Sequence, residues 1–502
     1  MDQWRGTARN GAIAVAIAFS IFQGCAEARD MRSKPDEGTS LVAGPIHVKF
    51  ADGELRYLTV GDREIVRRVY FSLRDRRWDT TPSEFKRVEI QKKADSFHIN
   101  LSAVVRTDAV NFQWDAEITG TSAGQITYEV HGQANSDFKY NRFGICVLYG
   151  APSLVGQKFE LVDAAGKSTE GEFPRLIRAD VWPSRFHTLK YTTGGGMEVA
   201  TTLAPVPFGM EDQRNWADSS FKAFSGMDFP YPNIVKGAQG NQTLTITVKN
   251  AGPQTGAKRP LRIEVGQPVA DSKMPKIVPF DDTAQKGFFL DVNKAHDRYQ
   301  HDTVLSWPYS SAVNLFDDDT QFENLSSIED QAASARSIAP AARLRITPLT
   351  FNPPYPRSGR DPRNQTMFGA AWSAAAVKHM AAAGVDEAMF DVGPGPVDAV
   401  LKEMNAHAGS AVLATRMDSA SRPPVDAVAV QSKGATVIWV INLTSQEHES
   451  VALSIPGVTE ATLRSLDPQA QPDTKHTVHL KQGQLPVKLP PYGVYEVTVR
   501  SK

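Results

Sequence analysis

The densest run of side chains able to do chemistry is Met210-Glu211-Asp212-Gln213-Arg214-Asn215-Trp216-Ala217-Asp218-Ser219-Ser220-Phe221-Lys222. A carboxylate such as Glu211 beside cations is what ester hydrolysis asks for. The carboxylate takes a proton from water while Arg214 or Lys222 polarises the carbonyl, and Asp212, Asn215 and Trp216 hold the substrate. The same run also reads as a structural joint, in which Arg214 and Lys222 pair with Glu211, Asp212 or Asp218 where two domains meet, because so many polar groups are costly to order unless they satisfy one another. A second set lies downstream: Asp317-Asp318-Asp319, a long loop from Asn352 to Gln365 that carries Arg357, Arg360, Asp361 and Arg363, and Asp391 ahead of Gly393-Pro394-Gly395-Pro396. Asp391 is the better carboxylate there, with Asp317, Arg357 and Arg363 as substrate contacts; Asp317 to Asp319 read equally as a helix cap. Arg74-Asp75-Arg76-Arg77-Trp78-Asp79 reads as a charged strand end, and Asn141-Arg142-Phe143-Gly144 as turn chemistry.

The signatures of cofactor and metal enzymes are missing. There is no G-x-S-x-G, H-E-x-x-H, Walker A or dinucleotide glycine pattern, and His296 and His301 are badly spaced for a shared metal. No cofactor and no metal are expected. Two cysteines, Cys25 and Cys146, are too few for a disulfide scaffold, a zinc ribbon or an iron-sulfur cluster. With 55 Lys plus Arg against 56 Asp plus Glu, the chain has no field to gather nucleic acid.

Those residues must be positioned by three regions of different rhythm. From 45 to 265, short β-branched or alternating runs such as Ile46 to Phe50, Glu64 to Phe71, Ser96 to Val104, Gln125 to His131 and Gly144 to Leu148 predict a large antiparallel β-sandwich. From 266 to 424, strands alternate with alanine-rich helical patterns: a strand at Ser311 to Phe316, a helix at Thr320 to Ala339, a strand at Arg343 to Phe351, an amphipathic helix at Thr366 to Ala383 closed by Gly384, a strand at Asp386 to Val392 and a helix at Val397 to Ala406. Phe288 to Val292 would add one strand. Such β-α-β units build a parallel sheet whose functional residues lie at the C-terminal strand ends. From 425 to 502 strands return, predicting a C-terminal β-sandwich domain. The fold class is thus multidomain, β plus α/β.

Arg5 and Arg9, an apolar run from Ala12 to Phe22 and Ala26-Glu27-Ala28 predict a signal peptide over residues 1–28. The run is too short to span a bilayer, and none like it recurs. Gly24-Cys25 also permits lipoprotein processing, with a lipid anchor on Cys25. Either route predicts a periplasmic or secreted protein.

Several segments together resemble the D-apionate lactonase family: Arg74-Asp75-Arg76-Arg77-Trp78, Asn141-Arg142-Phe143-Gly144, Phe173-Pro174-Arg175-Leu176-Ile177, Met274-Pro275-Lys276-Ile277, Phe368-Gly369-Ala370-Ala371-Trp372 and above all Met210 to Lys222. The resemblance implies a β domain, a TIM-like barrel and a further β domain, and an enzyme that opens the lactone of a branched-chain aldonic acid. A full barrel takes about 200 to 250 residues, whereas Gln267 to Arg422 holds only about 150, so a shortened barrel is expected. The resemblance assigns no catalytic residue.

Three functions compete. The first is an exported lactonase acting on a sugar lactone through Glu211 or Asp391. The second is a glycoside-hydrolase-like enzyme, which needs two carboxyl groups about 5 to 9.5 Å apart across a sugar. The third is a non-catalytic descendant that binds carbohydrate or a partner, with Trp78, Trp182 and Trp216 as stacking platforms.

Overall fold

The computed structural model describes residues 38–76, 80–178, 181–193, 196–226, 232–252, 261–278, 298–313, 317–352, 360–391, 395–418, 423–455, 458, 460–468, 476–480 and 484–500. The expected signal peptide with Cys25, the strand at Phe288 to Val292, and Trp78, His296 and Arg357 lie outside these residues.

Period-2 alternation builds the first domain. Phe97–Arg106 buries every second side chain, and Asn111–Thr121 and Gln125–Ala134 do the same in register. An eight-stranded sheet runs from Thr39–Ala43 through Arg63–Arg74, Arg142–Gly150 and Ser220–Phe224 to Phe208–Asp212 and Val181–Phe186. A nine-stranded sheet faces it, and the two enclose one core. Trp114, Phe112 and Phe143 fill its centre, each side chain contributing about 1.5 to 3 kcal/mol by burial. Gly132 is required there, because a Cβ would fall 2.2 Å from Phe112 Cζ.

Among the described residues the α/β region holds a four-stranded parallel sheet in the order Lys276–Ile277, Glu387–Phe390, Arg343–Thr350, Val304–Ser310. The last strand lies beside the first, as where a (β/α)8 barrel closes. About 26 residues separate Ile277 from Val304, fewer than the about 30 or more that one β-α-β unit takes. Among the described residues no strand pairs with the outer edge of either Lys276–Ile277 or Val304–Ser310.

Three expectations need correction. In place of a strand starting at Ser311 there is Val304–Ser310, with Ser311 to Val313 after it in irregular backbone and residues 314–316 outside those described; Pro308 hides the strand from a propensity reading, although proline is at home in an edge strand. The helix expected from Thr320 to Ala339 is two, Asp318–Asn324 and Ser327–Ile338. At the break, Ser327 Oγ donates to the Asn324 carbonyl at 2.8 Å while the Asn324 side-chain amide donates to Ser311 O at 2.8 Å. The helix Met367–Ala383 is buried on nearly every side rather than along one face, because the C-terminal sheet covers the side that the parallel sheet leaves. Its alanines permit this close approach at both surfaces, and Gly384 closes it with φ 65°.

The C-terminal β domain is a nine-stranded sheet that takes in Arg262–Lys273 and Ala411–Asp418 from upstream. One face holds Ile263, Val425, Ile438 and Val497. The other, with Val428, Trp439 and Ile441, packs on the α/β region.

Candidate functional site

The C-terminal ends of the parallel strands carry a continuous polar network. Asp317 caps the helix Asp318–Asn324, accepting from Thr320 N at 3.1 Å and Thr320 Oγ1 at 2.9 Å. It also meets Arg56 of the sandwich at 3.0 Å. Burial alone would raise the Asp317 carboxyl; the charge and hydrogen bond of Arg56, the more distant Arg68 and the Thr320 N–H outweigh it and hold the group at about 2. Asp318 pairs with Arg363 and accepts from Tyr492 of the C-terminal domain. Tyr57 donates to Asp319 at 3.3 Å. Three consecutive aspartates therefore tie the three domains together while starting a helix, so the capping role is observed.

Arg363 grips both oxygens of Asp361, at 3.0 and 2.6 Å, and lies 4.4 Å over the Phe368 ring. Asp361 N and Asn364 Nδ2 donate to Asn352 Oδ1 at 2.8 and 2.6 Å, which turns Asn352 Nδ2 toward Asp391 Oδ2 at 3.2 Å. Asp391 follows the strand Glu387–Phe390, its N–H donating to Leu349 O at 2.9 Å. Its other oxygen meets Arg360. The Asp391 side chain is 31% exposed and that of Arg360 67%, so carboxylate and cation stand together at an accessible strand end. The network joins Asp317, Arg363 and Asp391, and it adds Asn352, Arg56 and Tyr492, to which the sequence reading gave no role.

The Met210 to Lys222 segment divides in two. Asp212 caps the 3₁₀ turn Gln213–Trp216, and its carboxylate receives Arg214 Nε and Nη2 at 2.8 and 2.7 Å. Arg214 also reaches Asp330 at 3.1 Å and the carbonyls of Pro174 and Arg175 at 2.7 and 3.4 Å, with none of its side chain exposed. Gln331 donates to Arg214 O at 2.9 Å and accepts from Trp307 at 2.9 Å, while Ser219 N donates to Asn324 Oδ1 at 3.1 Å. This is a joint between sandwich and α/β region, and its guanidinium is fully engaged. Asn215 is buried beside it, and Trp216 stands half-exposed at the surface.

Glu211 and Lys222 face another way. They are cross-strand partners on the outer surface of the eight-stranded sheet, in a row with Leu148 and Arg68. Tyr70, Cys146 and Phe224 form the next row. Arg142 lies 3.6 Å over the Phe224 ring and pairs with Glu211, whose second oxygen accepts from Gln213 Nε2 at 3.0 Å. Burial pushes the Lys222 amine down to about 8. Arg74 and Arg142 add to the shift, and Cys146 and Glu211 oppose it. No distance in the network brings Glu211 or Lys222 to Asp391. Among the described residues no three His, Cys, Asp or Glu side chains gather as a metal site, and no helix is long and apolar enough to cross a membrane.

A β-sandwich, a TIM-barrel domain and a C-terminal immunoglobulin-like domain define the class, a modular three-domain β and α/β protein. The chain belongs to the D-apionate lactonase family: the family's N-terminal domain matches residues 27–251, its TIM barrel domain 284–433 and its C-terminal immunoglobulin-like domain 422–497. A D-apionate lactonase of Brucella anthropi is 25% identical over 256 residues, which is 50% of this chain and 41% of that protein, so the match spans less than half of the relative's length. Among solved structures, a bifunctional glucanase-xylanase from a metagenome library is 16% identical over 43% of this chain and 46% of its own, with a TM-score of 0.33. A β-arabinopyranosidase is 7% identical over 91% and 99%, with a TM-score of 0.28. Neither likeness carries a functional assignment.

Proposed function

We propose that the chain opens a sugar-acid lactone, with Asp391 as the base that activates water. The single observation that carries this reading is the placement of Asp391 at the accessible end of a parallel strand, oriented by Asn352 and flanked by Arg360. Asp391 takes a proton from water, and the hydroxide oxygen bonds to the lactone carbonyl carbon. Arg360 stabilises the resulting oxyanion. Collapse breaks the bond between the acyl carbon and the ring oxygen, which takes the proton back from Asp391, leaving a hydroxy acid. Family membership supports a carbohydrate lactone as substrate. Glu211 is the second candidate base, less exposed than Asp391 and held by Arg142 and Gln213. The reading includes export, with residues 1–28 removed; amino-terminal sequencing of the mature protein tests that part.

The test is ring opening of D-apionolactone and other aldonolactones by wild type and Asp391→Asn, with melting curves on both. Turnover lost in a folded variant upholds the reading. The four-stranded sheet favours a second one, in which the chain binds carbohydrate without turning it over; saturable sugar binding by an inert, folded wild type is its signature.

A further inference from the structure

The nine-stranded sheet turns its outer face away from the α/β region, which meets the eight-stranded sheet instead, through pairs such as Arg56 with Asp317 and Arg67 with Glu323. In that outer face lies a hollow of about 400 Å³, lined by Gln113, Asp115, His131, Gln133, Gln239 and Asn241 with Gly132 and Gly240 between them. The register sets the six side chains in two rows across three neighbouring strands, Asn111–Thr121, Gln125–Ala134 and Gln239–Lys249. Asp115, His131 and Asn241 form one row, and Gln113, Gln133 and Gln239 the next. Neighbours stand about 4.8 Å apart across strands and about 7 Å apart along them. Between the rows Gly132 pairs with Gly240 on the core-facing phase of both strands. The Phe112 ring occupies the space beneath, where a Gly132 Cβ would fall 2.2 Å from Cζ, so the floor of the hollow is backbone.

Elsewhere on this face polar side chains satisfy one another. His98 meets Glu117 at 2.9 Å, Lys190 meets Glu160 at 3.3 Å, and Thr188 meets Thr202 at 2.9 Å. The six in the hollow make no side-chain hydrogen bond among the described residues, so their donors and acceptors are all available to a ligand. Four are carboxamides, each offering N–H and C=O in one plane, and a neutral imidazole likewise donates at one nitrogen and accepts at the other. That pattern matches adjacent hydroxyls, each of which also donates and accepts. No lysine or arginine lines the hollow to neutralise an acid or a phosphate, and no apolar side chain seats a lipid or an aromatic ring. One carboxylate, Asp115, gives a divalent cation little to bind. The volume lies within the range of about 300 to 1,000 Å³ that small-molecule sites occupy.

We propose that this hollow binds a neutral sugar residue. The carboxamides of Gln113, Gln133, Gln239 and Asn241 share its hydroxyls, and Asp115 accepts the strongest of the hydrogen bonds because its oxygens are charged. The site lies on the side of the sandwich turned away from the α/β region, and so apart from Asp391. It goes beyond the lactonase reading and stands if that reading fails, since it requires binding and no turnover.

The probes are the methyl pyranosides of D-glucose, D-galactose, D-mannose and D-xylose, each titrated into the full chain and followed by saturation-transfer NMR, with sodium D-gluconate and calcium chloride as charged competitors. Saturable binding of at least one pyranoside, displaced by neither competitor, is expected. Gln133→Ala and Asn241→Ala, both at exposed positions, should each weaken it at least tenfold. Thr245→Ala, on the same strand and face as Asn241 but outside the hollow, and Asp391→Asn should leave it within twofold. If an alanine variant fails to fold, Gln133→Glu, which keeps the size and removes the amide donor, carries the same expectation. No pyranoside binding, binding undiminished by the Gln133 and Asn241 variants, equal loss on changing Thr245 or Asp391, or displacement by gluconate or calcium would each overturn the proposal. Failure of lactone turnover would leave this result untouched, so the two readings fall separately.

Discussion

Arg214 and Lys222 are eight positions apart in one polar segment, and both are buried cations, yet their surroundings are opposite. Arg214 spends its guanidinium on two carboxylates and two carbonyls drawn from three separate stretches of chain. Lys222 is desolvated by burial and lies among the like charges of Arg74 and Arg142, which the Cys146 thiol and the Glu211 carboxylate only partly offset. The first arrangement is a closed network that fastens two domains. The second is a desolvated amine without a hydrogen bond among the described residues, and its burial is a standing cost to the fold. A buried charge alone therefore says little about role; the state of its partners says more.

The largest effect that separates the two comes from Arg214→Met. It strands Asp212 and Asp330 in the joint and should cost about 3 to 5 kcal/mol in urea unfolding. A loss under about 1 kcal/mol would mean that the joint does not hold the domains. Lys222→Met should move the other way, gaining about 1 to 3 kcal/mol by removing an amine that burial desolvates. Its effect has a pH signature. The folded value of about 8 lies below the ordinary 10.5, so between these values the unfolded chain binds the proton more readily. Stability of the wild type should rise as pH climbs from about 8 to 10.5, relative to Lys222→Met. Equal slopes in both proteins would place the amine in water.

Asp330→Asn is the smallest. Burial raises its carboxyl to about 6, with Arg214 opposing and Asp212 adding to the shift. Its favourable contribution is complete below the ordinary 3.8 and is lost as pH rises through about 6. Asparagine should remove that slope, with less than about 1 kcal/mol of change at pH 7. A large loss at pH 7 would make Asp330 an equal partner of Asp212 in holding Arg214.

The sandwich was legible because alternation is local: Ile46 to Phe50 and Gln125 to His131 announce themselves within a few residues. Gly384 and the Asp317 cap were legible for the same reason. The strand Val304–Ser310 was not, since Pro308 breaks the local signal, and the split between Asn324 and Ser327 depends on a contact with Ser311 that no helical periodicity carries. Asp391 could be singled out from its position after a strand. Its neighbours could not all be, because partners such as Arg56 with Asp317 and Tyr492 with Asp318 are 261 and 174 residues apart. The surroundings of Lys222 need the register of three strands before their rows exist at all.

The most direct test of the central claim, that Asp391 activates water at the strand end, is kcat for D-apionolactone opening by wild type and Asp391→Asn side by side. The account predicts measurable turnover by the wild type and a fall of about 10²- to 10⁴-fold in a variant with the same melting temperature. Equal turnover by the variant, or an inert wild type with an intact fold, would contradict it.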